Sequence, residues 1–100
     1  MKKLIITSSV KIHMPEEKKL VGIVRHYYTK IGVAVVDLMD ELAIGDEISI
    51  EGATTNFRQK VTSMQIEHKN VEKAKAGDSI GLKVDERVRE NDKVYKIISE

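Results

Sequence analysis

Apolar and polar residues alternate with a period of two along much of this 100-residue chain, as they do in β-strands with one covered face. Residues 20–28 (LVGIVRHYY) and 33–38 (VAVVDL) are rich in the β-branched and aromatic side chains that strands favour. Residues 29–32 (TKIG) separate these runs and have the length and the glycine of a hairpin loop. The first two elements are therefore predicted to form a β-hairpin.

A third strand is predicted after a turn at Gly45-Asp46. Alternation directs Ile48 and Ile50 inward and the remaining residues of 47–51 outward. The sequence GDEISI at this turn resembles GDSIGL, which begins at Gly77. Glycine supplies a positive φ and aspartate caps the turn backbone, so local turn chemistry explains the match without an internal duplication.

The fourth predicted strand, residues 56–68, changes the face of its apolar positions. Phe57 and Val61 share one parity, whereas the two apolar residues after Ser63 have the other. A strand cannot exchange its faces without an irregularity, so a bulge or sharp bend is expected near residues 62–63. Such bends are typical of strands in small closed barrels.

Two further strands complete the predicted fold. Ile80, Leu82 and Val84 are directed inward in residues 79–85, and the run VRENDKVYKII combines a polar turn with a last strand. Asn70 is predicted to cap at most one turn of helix before Gly77. Six short strands with almost no helix predict an all-β protein, a small closed six-stranded antiparallel β-barrel. Residues 56–68 and 79–85 are expected to pair within it.

Composition narrows the class of protein. The chain has no cysteine, which excludes a disulfide scaffold. It has 17 basic and 16 acidic residues, so its net charge is too small to attract nucleic acid or a membrane surface to the protein as a whole. Only Leu4, Ile5 and Ile6 follow the basic start as an apolar run, too few for a signal peptide or a membrane span. The sequence predicts a cytoplasmic monomer or weak dimer, with residues 1–17 as an N-terminal extension and residues 18–100 as the barrel domain.

Five stretches together resemble domain two, the β-barrel domain, of elongation factor Tu and related translational GTPases. They are KIGVAVVDL, LAIGDEISIEG, TTNFRQKVTSMQIEH, VEKAKAGDSIGLKV and VRENDKVY, within residues 18–98. The resemblance implies a stand-alone, non-catalytic module that contacts RNA or a ribosomal or translation-factor partner. A relative of this barrel is appended to some U32-family peptidases, so the alternative is a protein-interaction or accessory subunit of an enzyme. No aminoacyl-pocket residue carries over, because residues 35–41 (VVDLMDE) lack the glycine-containing hairpin of the GTPases.

Catalytic chemistry has little support in the sequence. No G-x-x-x-x-G-K-[ST] loop is present to bind phosphates. His13, His26 and His68 have no metal-binding spacing, and the hydroxyl residues lack a nucleophile motif. The sequence thus predicts no catalytic residue, no cofactor and no metal.

One group of basic residues is a candidate binding face for RNA or another partner. Alternation directs side chains of the fourth and fifth strands outward, and two arginines follow on the next turn. A solvated charged face, interleaved with Asp85, Glu86 and Glu90, is the alternative interpretation. The candidate residues are Arg58, Lys60, Lys83, Arg87 and Arg89.

Overall fold

The computed structural model describes residues 17–98, and this part of the chain consists of strands and their connections. The strands are β1 (Glu17–Tyr28), β2 (Val33–Leu38), β3 (Leu42–Ala43), β4 (Glu47–Glu51), β5 (Asn56–Lys60), β6 (Met64–Ile66), β7 (Lys69–Val71), β8 (Lys73–Ala74), β9 (Ser79–Lys83) and β10 (Lys93–Ile98). The all-β prediction is confirmed. No helix capable of crossing a bilayer occurs in these residues.

Eight strands form one antiparallel sheet in the order β5-β4-β10-β1-β2-β9-β6-β7, and β3 pairs with β8 separately. The long strand β1 lies between β10 and β2. Its pairing with β2 shifts register between Val24 and His26, and its pairing with β10 shifts between Val94 and Tyr95. Such irregularities increase the local twist and bend a strand, so the sheet curves around the apolar side chains on its inner face.

The closed six-stranded barrel expected from the sequence is wrong. Strands β5 and β7 end the sheet order and are not paired with each other. The reason lies in residues 56–68, which form two strands rather than one because residues 61–63 leave strand geometry, at the predicted irregularity. Strand β5 then pairs with β4, and β6 is the one of these two strands that pairs with β9. The expected pairing of residues 56–68 with 79–85 therefore holds for β6 alone.

A side chain joins the edge strand β5 to the chain beyond β9. The Gln59 amide donates from Nε2 to the Lys83 carbonyl oxygen at 2.9 Å, and its Oε1 accepts from the Asp85 backbone N–H at 2.7 Å. Gln59 is only 8% exposed. These two bonds take the place of strand pairing at this position, because one amide side chain satisfies both a backbone acceptor and a backbone donor.

The predicted helical turn at Asn70 is also wrong. Asn70 lies in β7, which forms a two-residue hairpin with β6. The central residues Glu67 and His68 have φ values of 51° and 67°, and positive φ at both positions is the feature of a type I′ hairpin turn. Cross-strand pairing has overridden the local capping signal.

The proposed extension, residues 1–17, lies outside the described residues except for Glu17, which begins β1.

Three turns of the same geometry precede β4, β9 and β10. In each, an aspartate N–H donates to the carbonyl three residues earlier, and its Oδ2 accepts the N–H of that same residue. The third residue has positive φ: Gly45 at 94°, Gly77 at 95° and Asn91 at 75°, as in a type II turn. The tetrapeptides are AIGD (43–46), KAGD (75–78) and REND (89–92). The first two were explained by turn chemistry from the sequence, and the third has asparagine in place of glycine.

The core consists of the inward side chains of these strands. Ile48, Ile50, Ile80, Leu82 and Val84 are buried, as the alternation predicts. Phe57 is partly buried and packs against the same cluster. Burial of one such aliphatic side chain stabilises the fold by about 1.5–3 kcal/mol. Ser49 occupies an outward position in the alternation, yet it is only 2% exposed.

Candidate binding cleft

The five predicted basic residues are all exposed, but the structure places them in different settings. Arg58 and Lys60 lie on the edge strand β5, where the Arg58 guanidinium is 4.0 Å from the Glu47 carboxylate. The Lys83 ammonium donates to the Ile31 carbonyl of the β1–β2 hairpin at 2.9 Å. Arg87 and Arg89 belong to the loop between β9 and β10 and line one cleft.

The loop that carries Arg87 and Arg89 is fixed at several points. Val88, between the two arginines, is 1% exposed, and Asp92 is 4% exposed. The Arg89 N–H donates to Asp92 Oδ2 at 2.8 Å. The Val24 N–H donates to the Asp92 carbonyl, and the Asn91 N–H donates to the Val24 carbonyl, both at 2.8 Å. Because Val24 lies at the register shift of β1, the loop is attached where that strand bends.

We name the space between this loop and the end of β1 the arginine cleft. It has a volume of about 460 Å³ and is open to solvent. On its rim the His26 Nδ1 lies 3.5 Å from the Glu90 carboxylate, and the His26 ring contacts the Tyr28 ring edge-to-face at 4.5 Å. The side chains that line the cleft are His26, Tyr27, Thr29, Arg87, Val88, Arg89, Glu90 and Asn91.

Sequence reasoning found the two arginines of this cleft and missed two of its other polar residues, Thr29 and Asn91. Their positions depend on the pairing of β1 with β10, which no local pattern specifies. His68 lies in the β6–β7 turn and does not line this cleft, and His13 is outside the described residues. In residues 17–98, no group of three or more His, Asp or Glu side chains could hold a metal ion.

A second polar cluster lies on the outer face of the sheet. The Lys18 ammonium and the Ser49 hydroxyl both donate to Glu51 Oε2 at 2.7 Å. The Lys18 hydrogen bond, followed by that of Ser49, holds the pKa of the Glu51 carboxyl below its usual range. Such a carboxylate is a poor general base at neutral pH, and the Ser49 hydroxyl is shielded from solvent. The arrangement therefore does not form an activated nucleophile.

A neighbouring ion pair, formed by the next residue of β1, also shifts the pKa values of its members. Lys19 Nζ lies 2.7 Å from Asp40 Oδ2. Their hydrogen bond raises the pKa of Lys19 and, together with the Glu41 N–H, lowers the pKa of Asp40. Both side chains are solvated, so the pair contributes little to stability. The arginine cleft is the candidate binding site, because its lining includes two of the predicted basic residues.

The chain is similar in sequence to segments of proteases. No protein-family model matches the chain. An uncharacterized protease of Methanocaldococcus jannaschii is 47% identical over 76 residues, which are 75% of this chain and 19% of that protein. A collagenase of Porphyromonas gingivalis is 43% identical over 82 residues, 80% of this chain and 23% of that protein. The chain thus spans about a fifth of the length of these relatives.

Comparison with solved structures also leads to a peptidase domain, at the level of the fold. The C-terminal domain of a Geobacillus thermoleovorans protein designated a U32 peptidase has a TM-score of 0.74 with this chain at 22% identity. The match covers 78% of this chain and 91% of that domain. A selenomethionine variant of that domain matches with a TM-score of 0.73.

These comparisons correct the assignment to domain two of elongation factor Tu, and with it the translation-factor description of the chain. The motifs that suggested it include the GD turns, which the structure shows to be local turn chemistry. The alternative named from the sequence, a domain of the kind appended to U32 peptidases, is the one that the comparisons support. The chain is related in sequence to a segment of these proteases and has the fold of a U32 peptidase C-terminal domain.

Proposed function

We propose that this domain is a non-catalytic accessory module of a U32-type peptidase and that it binds a protein, either a substrate or another part of the peptidase. The observation that carries the proposal is the 43–47% identity to a segment that forms only about a fifth of each related protease. Most of each relative lies outside the matched segment and has room for the catalytic apparatus. A binding role also fits the described residues, where the serine–carboxylate cluster is shielded and lacks a suitable base.

Removal of the homologous segment from the Porphyromonas gingivalis collagenase tests this proposal. The truncated enzyme should retain its kcat on a short peptide substrate, because the catalytic groups are expected elsewhere. Its KM for intact collagen should rise by about tenfold or more, since loss of roughly 1.4 kcal/mol of binding free energy corresponds to a factor of ten. Unchanged action on both substrates would refute an accessory role, as would loss of peptide cleavage by a truncated enzyme that melts cooperatively.

RNA is a second candidate partner, because all five predicted basic side chains are exposed. Neutralising a contacted phosphate adds about 0.7 to the slope of log affinity against log salt for single strands. Changing Arg58 and Lys60 together to glutamine should lower that slope by about one to two and leave the melting temperature nearly unchanged. Lys69→Gln/Lys73→Gln is the matched control. Equal RNA binding by the Arg58/Lys60 variant and the parent would identify a solvated charged surface.

We further propose a monomer or weak dimer in the cytoplasm. The two end strands of the sheet are short, and their exposed positions carry Arg58, Lys60 and Lys69, a composition that opposes edge-to-edge association. The absence of cysteine from the sequence suits a reducing compartment. Light scattering should give a monomer mass at micromolar concentration, and a dimer that persists on dilution would contradict this expectation.

A further inference from the structure

We propose that the arginine cleft binds a single carboxylate group, presented by an acidic segment of a protein. The inference deepens the proposed function and rests on it for the identity of the partner. It specifies the site on this domain, the chemical group that is recognised and the residues that recognise it. Arg87 and Arg89 supply the charge, and Thr29 and Asn91 supply further hydrogen-bond donors.

The first argument comes from the pairing of the four arginines in the sequence. Arg25 lies 3.4 Å from Asp37, and Arg58 lies 4.0 Å from Glu47. Within residues 17–98, neither Arg87 nor Arg89 forms an ion pair, although Glu86 directly precedes Arg87 and Glu90 directly follows Arg89 in sequence. The Glu90 carboxylate is directed at His26 instead. Two guanidinium groups in one cleft therefore remain available, and the guanidinium fork matches a carboxylate in geometry.

The second argument concerns Asn91. It occupies the positive-φ position that glycine fills in the two other turns of the same geometry. Asparagine tolerates this conformation better than most residues, but glycine adopts it without a steric cost. Of the three turns, this is the one that lines the arginine cleft. An amide side chain at this position is consistent with a role in the cleft rather than in the turn itself.

The charge of the cleft selects the class of ligand. Two arginines and one glutamate line it, so that its net charge is +1 if the histidine is not counted. The surrounding residues 85–92 contain four acidic side chains, Asp85, Glu86, Glu90 and Asp92, against the two arginines. A polyphosphate chain that crossed this loop would meet like charge on the loop itself, before and after the two arginines in sequence. A single carboxylate requires only the two guanidinium groups, and the loop backbone that carries them is already fixed by hydrogen bonds to Val24 and Asp92.

Titration of the full chain with N-acetylglutamate amide tests the proposal, with the arginine Nε–Hε resonances observed by NMR. We expect saturable shifts at Arg87 and Arg89 with a millimolar dissociation constant, and no saturable shift with N-acetylglutamine amide or at Arg25. Inorganic phosphate should bind less tightly than the carboxylate. Equal shifts with the glutamine compound, or tighter binding of phosphate, would overturn the inference.

Three variants separate binding from folding. Arg87→Gln/Arg89→Gln should weaken carboxylate binding at least tenfold, whereas Lys69→Gln/Lys73→Gln removes the same charge elsewhere and should bind as the parent does. Asn91→Gly should keep the turn, with an equal or higher melting temperature, yet weaken binding about threefold. If Arg87→Gln/Arg89→Gln melts as the parent and binds with equal affinity, the proposed site is wrong.

The two proposals fail in distinguishable ways. If N-acetylglutamate amide does not bind while removal of the segment still raises the KM of the collagenase for collagen, only the carboxylate site is refuted. If the carboxylate binds and removal of the segment changes nothing, the accessory role is refuted and the site stands.

Discussion

Replacement of Gln59 by leucine should destabilise the domain more than the same replacement of Gln65, the other glutamine in the described residues. The substitution keeps the approximate volume of the side chain and removes its polar atoms. It thereby deletes the bonds to the Lys83 carbonyl at 2.9 Å and from the Asp85 N–H at 2.7 Å. Both backbone groups then lose their partner at a position where the replaced side chain was 8% exposed.

The size of the effect follows from these two bonds. An intramolecular hydrogen bond contributes about 0.5–1.5 kcal/mol net, and a buried group left without a partner costs about 1–3 kcal/mol. Lys83 and Asp85 are themselves exposed residues, so water can partly replace the lost amide and the lower end of the range applies to each group. The extra apolar area of leucine offsets a fraction of this loss. We therefore expect a decrease of about 2 kcal/mol in the free energy of unfolding.

Urea unfolding and thermal melting measure this change. A domain of this size loses about 4–8 °C of melting temperature per kcal/mol, so a decrease of about 8–16 °C is expected with an unchanged m-value. Gln65→Leu is the matched control, because among the described residues the Gln65 amide bonds only to the exposed Asn70 side chain, at 3.1 Å. That variant should stay within about 0.5 kcal/mol of the parent. Equal stability of the Gln59 and Gln65 variants would refute the structural role given to Gln59.

Three further predictions concern other elements of the sheet. Gly22→Ala should destabilise by about 1–3 kcal/mol, because the added methyl would lie 2.6 Å from a side chain of β2, whereas Gly81→Ala, with its nearest neighbour at 3.4 Å, should melt at or above the parent temperature. Replacement of residues 67–68 by Asn-Gly should raise the free energy of unfolding by about 1 kcal/mol, because both positions have positive φ. In an NMR pH titration, Lys18→Met should raise the pKa of Glu51 toward its usual range. A carboxyl with a lowered folded pKa adds stability above its unfolded pKa and loses it as pH falls through the folded value, so the parent should lose more stability on acidification than this variant.

Local patterns predicted the elements that local chemistry determines. The β1–β2 hairpin, its 29–32 loop and the inward faces of β4 and β9 agree with alternation and turn residues, because a period of two with one covered face leaves a single arrangement. The irregularity at 62–63 was equally visible, since the apolar positions change parity there. These features require no knowledge of distant contacts.

Features that depend on distant contacts were predicted only in part, since of residues 56–68 only β6 pairs with β9 as expected. Closure of the sheet failed because residues 61–63 divide one expected strand between two partners. Gln59 nevertheless left a signal, since it shares the parity of Phe57 and Val61 and is thus a polar residue on an inward face. Such a position predicts a buried hydrogen-bond partner. Its identity, the backbone at residues 83–85, could come only from the folded chain.

The mistaken assignment to a translation factor has a structural explanation in the three type II-like turns. Each places a positive φ before an aspartate that bonds back to the residue three positions earlier, and each leads directly into a strand. Any all-β domain that enters strands through such turns will tend to show a positive-φ residue, usually glycine, directly before an aspartate, whatever it binds. Evidence for a specific function is therefore better sought at the turn whose positive-φ residue differs from that of the other two. That departure is Asn91, and it lies in the arginine cleft.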